Sequence, residues 1–238
     1  MRSLVIALAA SASAASVAVA QVPGTSPAAP TAPVVKTSTG GELRIGGFMI
    51  NSERSMEFNS AVTTKTAQMK GIDVLLRAKF IGLQVKSLTS EFEGQPNITS
   101  ADVRLLLFPR VFSVMVGAGR RALWSTLNAT SPTQFDMGLA GVSMTHAIGG
   151  TGLRTNLMAA VYLPVQKSSG NSTSSGTGAE IDKGMEGEAS IMYTPPKIPL
   201  FLQVGYRTEV FTSKRGTTVT PEEVRGLKVG GGIQLGGR

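Results

Sequence analysis

Glu186 and Glu188 are one residue apart and project the same way from an extended backbone, as the acid and base carboxylates of a glycoside-cleaving pair would. No other feature of the chain suggests a sugar cleft, so the pair is expected to bear charge and not to carry out catalysis. His146 is the only histidine and Ser143 lies close to it in sequence. A hydrolase triad also needs an orienting acid in contact, and no accompanying motif supplies one. His146 is therefore expected in a lumen or at a rim. The run Gly230, Gly231, Gly232 and the pair Gly117 and Gly119 sit inside strand-like segments with no following helix, which removes the context of a phosphate-binding loop. Asn97, Asn128 and Asn171 each open an Asn-x-Thr triplet. With no cysteine and one histidine, nothing suggests a metal site or a cofactor, and the chain is expected not to be an enzyme.

The charged residues that remain fall on one side of extended segments. From Leu200 to Phe211, Leu202, Val204, Tyr206 and Val210 share one face, while Gln203, Gly205, Arg207 and Glu209 share the other. Ten segments carry this period of two. Their charged faces collect Glu42, Arg44, Asp73, Arg77, Lys79, Lys86, Asp102, Arg104, Arg121, Glu186, Glu188, Arg207, Glu209 and Lys228. A closed, all-β, antiparallel up-and-down barrel that crosses a membrane needs this pattern in every strand. Lipid meets one face, the lumen takes the other, and closure leaves no unpaired edge in hydrocarbon. The expected count is ten strands, with eight as the alternative. Phe135, Met137 and Leu139 followed by Val142 and Met144 predict a change of face in the sixth strand, through a bulge near Gly141.

Connections alternate between short and long. Tight segments lie at Phe80-Ile81, Pro109-Arg110, Gly149 to Gly152 and Pro195 to Lys197. Long polar loops are expected at Asn51 to Gln68, Glu91 to Thr99, Ser125 to Gln134, Lys167 to Asp182 and Ser213 to Pro221. Short periplasmic turns and long outer loops place both termini in the periplasm. Phe80, Phe108, Phe112, Tyr193 and Phe201 beside the turns predict one interfacial girdle, with Trp124 and Phe211 as candidates for the other.

Residues 1–20 read as a cleaved export signal, with an apolar small-residue run from Leu4 ending in Ala18-Val19-Ala20. Residues 21–41 are rich in Pro, Ala and Thr and read as a disordered tether, which leaves residues 42–238 for the barrel. The formal charge of +8 becomes +7 once Arg2 leaves with the leader. Its basic residues are scattered and aromatics are few, which argues against nucleic acid and for membrane lipids as the anionic partner.

The last strand reads Lys228-x-Gly230-x-x-Ile233-x-Leu235, which resembles the signal that assembly machinery reads in outer-membrane barrels. It departs from that pattern by ending in Gly236-Gly237-Arg238 in place of an aromatic residue. In architecture the whole barrel region resembles small OmpA- and OmpX-like outer-membrane proteins. The resemblance implies a bacterial outer-membrane location, the barrel-assembly machinery as partner, and binding of extracellular ligands through the loops. A structural or adhesive role over a plugged lumen is the first functional expectation. A narrow channel favouring anions, lined by Arg44, Arg77, Lys79, Arg104, Arg121 and Arg207, is the second. A reversed, soluble periplasmic barrel holding a lipid is the third, since alternation alone does not say which face is inside.

Overall fold

The structure is a computed structural model that describes residues 41–58, 61–93, 95–109, 111–125, 128–165, 179–215 and 218–236. The expected leader and all of the tether but Gly41 lie outside the described residues, as does Asn171.

Ten strands form: β1 (Glu42–Phe58), β2 (Ala61–Arg77), β3 (Ile81–Ser90), β4 (Asn97–Leu107), β5 (Phe112–Ser125), β6 (Asn128–Ile148), β7 (Leu153–Pro164), β8 (Ala179–Tyr193), β9 (Leu200–Arg215) and β10 (Thr218–Gly236). Each pairs antiparallel with its neighbour in sequence, and β10 pairs with β1 from Glu42↔Gly236 to Met56↔Glu222, closing the barrel. Closure leaves neither terminal strand with a bare edge through the wall.

The alternation dictates the outer surface. Ile45, Met49, Ile72, Leu76, Leu83, Val103, Val116, Val142, Val161, Ile191, Leu202, Val204, Val229 and Ile233 are exposed, each close to half of its possible area, all round the barrel. Glu42, Arg44, Asp73, Asp102, Arg104, Glu186, Arg207, Glu209 and Lys228 are buried on the inner side. A reversed barrel with an oily pocket and charged exterior is therefore not the arrangement found. An apolar surface this continuous is far larger than the patches that monomers expose to water.

β6 corrects one expectation. It has no bulge near Gly141, where it pairs in continuous register with β5 and with β7, from Met137↔Pro164 to Ile148↔Leu153; its one register shift lies at the other end, where Leu123↔Thr133 is followed by Ser125↔Asn128. Phe135, Met137 and Leu139 point inward and are buried, whereas Val142 and Met144 point outward, as their odd and even positions require. No change of face is needed, because the inward side of β6 is itself apolar there and packs on the rings of Tyr162 and Phe211. Phe135, Met137, Leu139, Tyr162 and Phe211 form one inner cluster there.

The long polar loops are a second correction. Asn51 to Gln68 is mostly paired strand, with register running to Phe58↔Ala61. The stretches Ser125 to Gln134 and Ser213 to Pro221 are likewise largely taken up by β5, β6, β9 and β10. Above the apolar belt both faces of a strand are polar, so pairing continues while the sequence loses its alternation.

Aromatic residues inside the barrel sit over inward glycines. A Cβ on Gly71 would strike the Phe48 ring, one on Gly46 the Phe201 ring, and one on Gly184 would crowd Tyr162 and Phe211 at 3.0 Å. Small strand residues thus make room for large rings, from an adjacent strand at Gly71 and Gly184 and from across β10 at Gly46. This is why Phe201 and Phe211 are buried inside and do not join the interfacial girdles expected of them. Phe80, Phe108, Phe112 and Tyr193 remain exposed at the turn end. Phe108 adopts φ 57°, a left-handed conformation costing about 1–2 kcal/mol, and its N–H donates to the Phe80 carbonyl at 2.9 Å. Trp124, at the upper end of β5, is half-buried.

Candidate functional site

The interior is a ladder of ion pairs along the barrel axis. Near the turns, Glu42 accepts from Arg77 at 3.5 Å and lies 3.9 Å from Arg154. Asp73 accepts two bonds from Gln84 Nε2, at 2.9 and 3.0 Å, and lies 3.7 Å from Arg44. The Arg44 guanidinium also sits over the Phe201 ring at 5.5 Å.

At mid-height Glu186 is the hub. It accepts from Arg104 Nη2 at 2.7 Å and from the Tyr162 hydroxyl at 2.6 Å, with Arg207 at 3.3 Å and Lys86 at 3.7 Å. The side chains of Glu186 and Arg104 have no exposed area. Arg104 is further held by both oxygens of Asp102, the fork-to-fork geometry that makes arginine pairs strong. Glu188 accepts from Lys228 at 2.6 Å, from Gln203 at 3.4 Å and from Lys86 at 3.5 Å. Both carboxylates thus face buried cations, Arg104, Arg207 and Lys86 around Glu186, and Lys86 and Lys228 around Glu188.

Toward the far end, Glu209 takes Arg121 at 3.0 Å and lies 3.6 Å from Arg207. Arg121 also bonds Glu222, stacks over the Phe211 ring at 3.9 Å, and leads to Arg54, which donates to Glu222 at 3.0 Å. Arg54 then bonds the Pro96 carbonyl and faces the Phe92 ring at 5.1 Å. Phe92 comes from the β3–β4 connection, expected as a long polar loop from Glu91 to Thr99 but shortened because β4 already begins at Asn97, and is buried with Phe48, Ile50, Met69, Leu88, Ile98 and Val224. The loop therefore caps the barrel, with an aromatic plug on a guanidinium.

Cutting Phe92 back to Ala should release this cap. Removing a buried Phe side chain costs about 3–5 kcal/mol, so cleavage by a Glu-specific protease at exposed Glu91 and Glu93 should rise at least about ten-fold. An unchanged digestion rate would show that Phe92 does not hold the loop.

Of the residues expected in the lumen, Lys79 alone lies outside it. β2 ends at Arg77, so the period of two no longer fixes its side, and Lys79 is exposed in the turn over the Phe80 ring at 5.1 Å. Glu42, Arg44, Asp73, Arg77, Lys86, Asp102, Arg104, Arg121, Glu186, Glu188, Arg207, Glu209 and Lys228 all join the network. Arg54, Arg154 and Glu222 belong to it as well and were missed. Each sits at the inward parity of its strand, a signal present in the sequence but hidden at Arg54, whose outward neighbours Glu53 and Ser55 are both polar.

Ser143 and His146 are an odd number of residues apart on one strand and so face opposite ways: His146 is exposed on the outer wall. Among the described residues no cluster of His, Asp or Glu has the arrangement of a metal site. An interior pocket of about 10 Å³ lies between Ile50, Arg207, Glu209 and Val224, room for about one water. In the closing strand, Lys228 is buried against Glu188 and the Phe48 ring, Gly230 abuts Phe48, and Ile233 and Leu235 point outward.

No protein-family model matches the chain, and no curated protein matches it in sequence. Among solved structures it is similar to the Neisserial surface protein A, at 11% identity and a TM-score of 0.39, covering 84% of this chain and 100% of that one. It is also similar to an outer membrane channel from Pseudomonas putida F1, at 11% identity and a TM-score of 0.34, covering 83% and 96%. The β domain of the Bordetella autotransporter BrkA follows at 9% identity and a TM-score of 0.31, covering 82% and 99%.

Proposed function

We propose that this chain is a non-enzymatic bacterial outer-membrane barrel with a closed lumen, acting through the hairpins and loop at its far end in a structural or adhesive role. The observation that carries this is the pairing of an apolar outer belt with an interior of mutually compensated charges. A belt of half-exposed Val, Ile and Leu is stable only against acyl chains. Both termini then lie on the periplasmic side with the tight turns, and the cap formed by Phe92 and Arg54 faces outward. Ligand contact would fall on the protruding ends of β1, β2, β5, β6, β9 and β10. The outward Ile233 and Leu235 of the closing strand fit recognition by the barrel-assembly machinery.

Against the anion-channel reading stands the fate of its lining. Arg44, Arg77, Arg104, Arg121 and Arg207 each face a carboxylate within 4 Å, and Lys79 is outside. An arginine so compensated offers a passing anion little net field. The full chain reconstituted in planar bilayers should give no steady unit conductance, and urea washing should leave it in the membrane pellet. Steady anion-selective steps abolished by Arg104→Ala would establish the channel instead, and release into the wash would overturn membrane insertion.

A further inference from the structure

On the outer wall, just above the apolar belt, a groove of about 630 Å³ crosses β2, β1, β10 and β9. The register lays its side chains in two rows. Gln68, Asn51, Leu227 and Tyr206 form the lower one, and Thr66, Glu53 and Arg225 the upper. The row beneath them is Met49, Val229 and Val204, with Lys70 at its end. Chemistry thus changes within two strand steps from aliphatic, through amides and a phenol, to a charged pair.

Three observations fix what would occupy it. Arg225 and Glu53, 3.4 Å apart, are the charged residues of the lining, and Glu223, 3.8 Å from Arg225, and Lys70 lie just beyond it, so the charges balance and offer a phosphate no net attraction. The side chains of Asn51, Gln68 and Tyr206 are exposed, while their neighbours Glu53 and Arg225 are tied to each other. Amides side by side with an exposed aromatic ring are groups that bond hydroxyls and cover the apolar face of a sugar. The groove also opens onto the belt, so an occupant anchored by an acyl chain would lay it along Leu227 and Val229.

We propose that this groove binds the neutral sugar headgroup of a membrane glycolipid, Asn51 and Gln68 bonding the hydroxyls and Tyr206 packing on the ring. The inference rests on the membrane reading above. In the full chain folded in phosphocholine micelles, titration with n-octyl β-D-glucoside should shift the side-chain amides of Asn51 and Gln68 and the ring of Tyr206 saturably in NMR spectra. Octanol and octyl phosphate, with the same chain and no sugar, should not. Replacing both amides, Asn51→Leu with Gln68→Leu, removes two hydrogen bonds and should weaken binding about ten-fold. Tyr206→Phe should retain most of the affinity and Tyr206→Ala should not. Equal response to octyl phosphate, shifts spread evenly round the belt, or undiminished affinity in the folded double variant would overturn the site. Loss of the membrane reading would show separately, as release of the chain from vesicles by urea.

Discussion

Replacing Glu186 by Ala should destabilise the barrel by about 3–5 kcal/mol, because it strips one carboxylate from Arg104, Arg207 and Lys86 while leaving those cations buried. The Tyr162 hydroxyl also loses its acceptor. Equilibrium urea unfolding of the full chain in lipid vesicles reads this as a lower midpoint at unchanged slope. The size of the loss does not measure what the pair contributes. Removing the whole triad, Glu186→Met with Arg104→Leu and Asp102→Leu, should recover part of it, since Lys86 keeps Glu188, Arg207 keeps Glu209, and apolar replacements of similar volume are often neutral or better. Recovery would show that the network sets which groups meet inside the lumen more than it adds stability. A Glu186→Ala loss under about 1 kcal/mol would mean that water reaches these cations and that the lumen is open.

The second large effect is expected on the other face. Val204 faces outward on β9 and is 52% exposed, between the apolar residues Ile191 on β8 and Val229 on β10. Val204→Arg should cost about 2–4 kcal/mol in vesicles if Val204 faces acyl chains near the midplane, whereas Val219→Arg, well above the belt, should cost about 0–1. Position within the bilayer, not exposure, makes the difference: Val219 has the same 52% exposure. In a water-soluble barrel both substitutions would be close to neutral or would improve solubility. Equal small effects would therefore remove the membrane from the account, while the interior network would be untouched.

The two experiments probe the two faces of one alternation, and that alternation was legible throughout the belt. Where outward positions are Ile, Val or Leu, the inward partners could be assigned by parity alone, from Arg44 to Lys228. Legibility failed at the ends of strands. At Lys79 the strand stops and parity no longer binds the side chain. Around Arg54 and Glu222 the strands continue, but water on the outside allows polar residues on both faces, so paired backbone looks like loop. β6 differs in another way: oily residues at both parities predict a bulge near Gly141, whereas the inward ones pack on the rings of Tyr162 and Phe211 and the register stays continuous there.

The order of residues alone marked out alternating segments with greasy and ionic sides, because a period of two is imposed by strand geometry and needs no partner to be visible; that they make ten strands and not eight, closed by β10 on β1, is settled by the pairing. Which acid meets which base, that Phe201 and Phe211 turn inward over glycines, and that Phe92 closes the far end were decided only in three dimensions. Those contacts join residues as far apart in sequence as Arg54 and Glu222, and only the registers of the strands between them bring such groups within bonding distance.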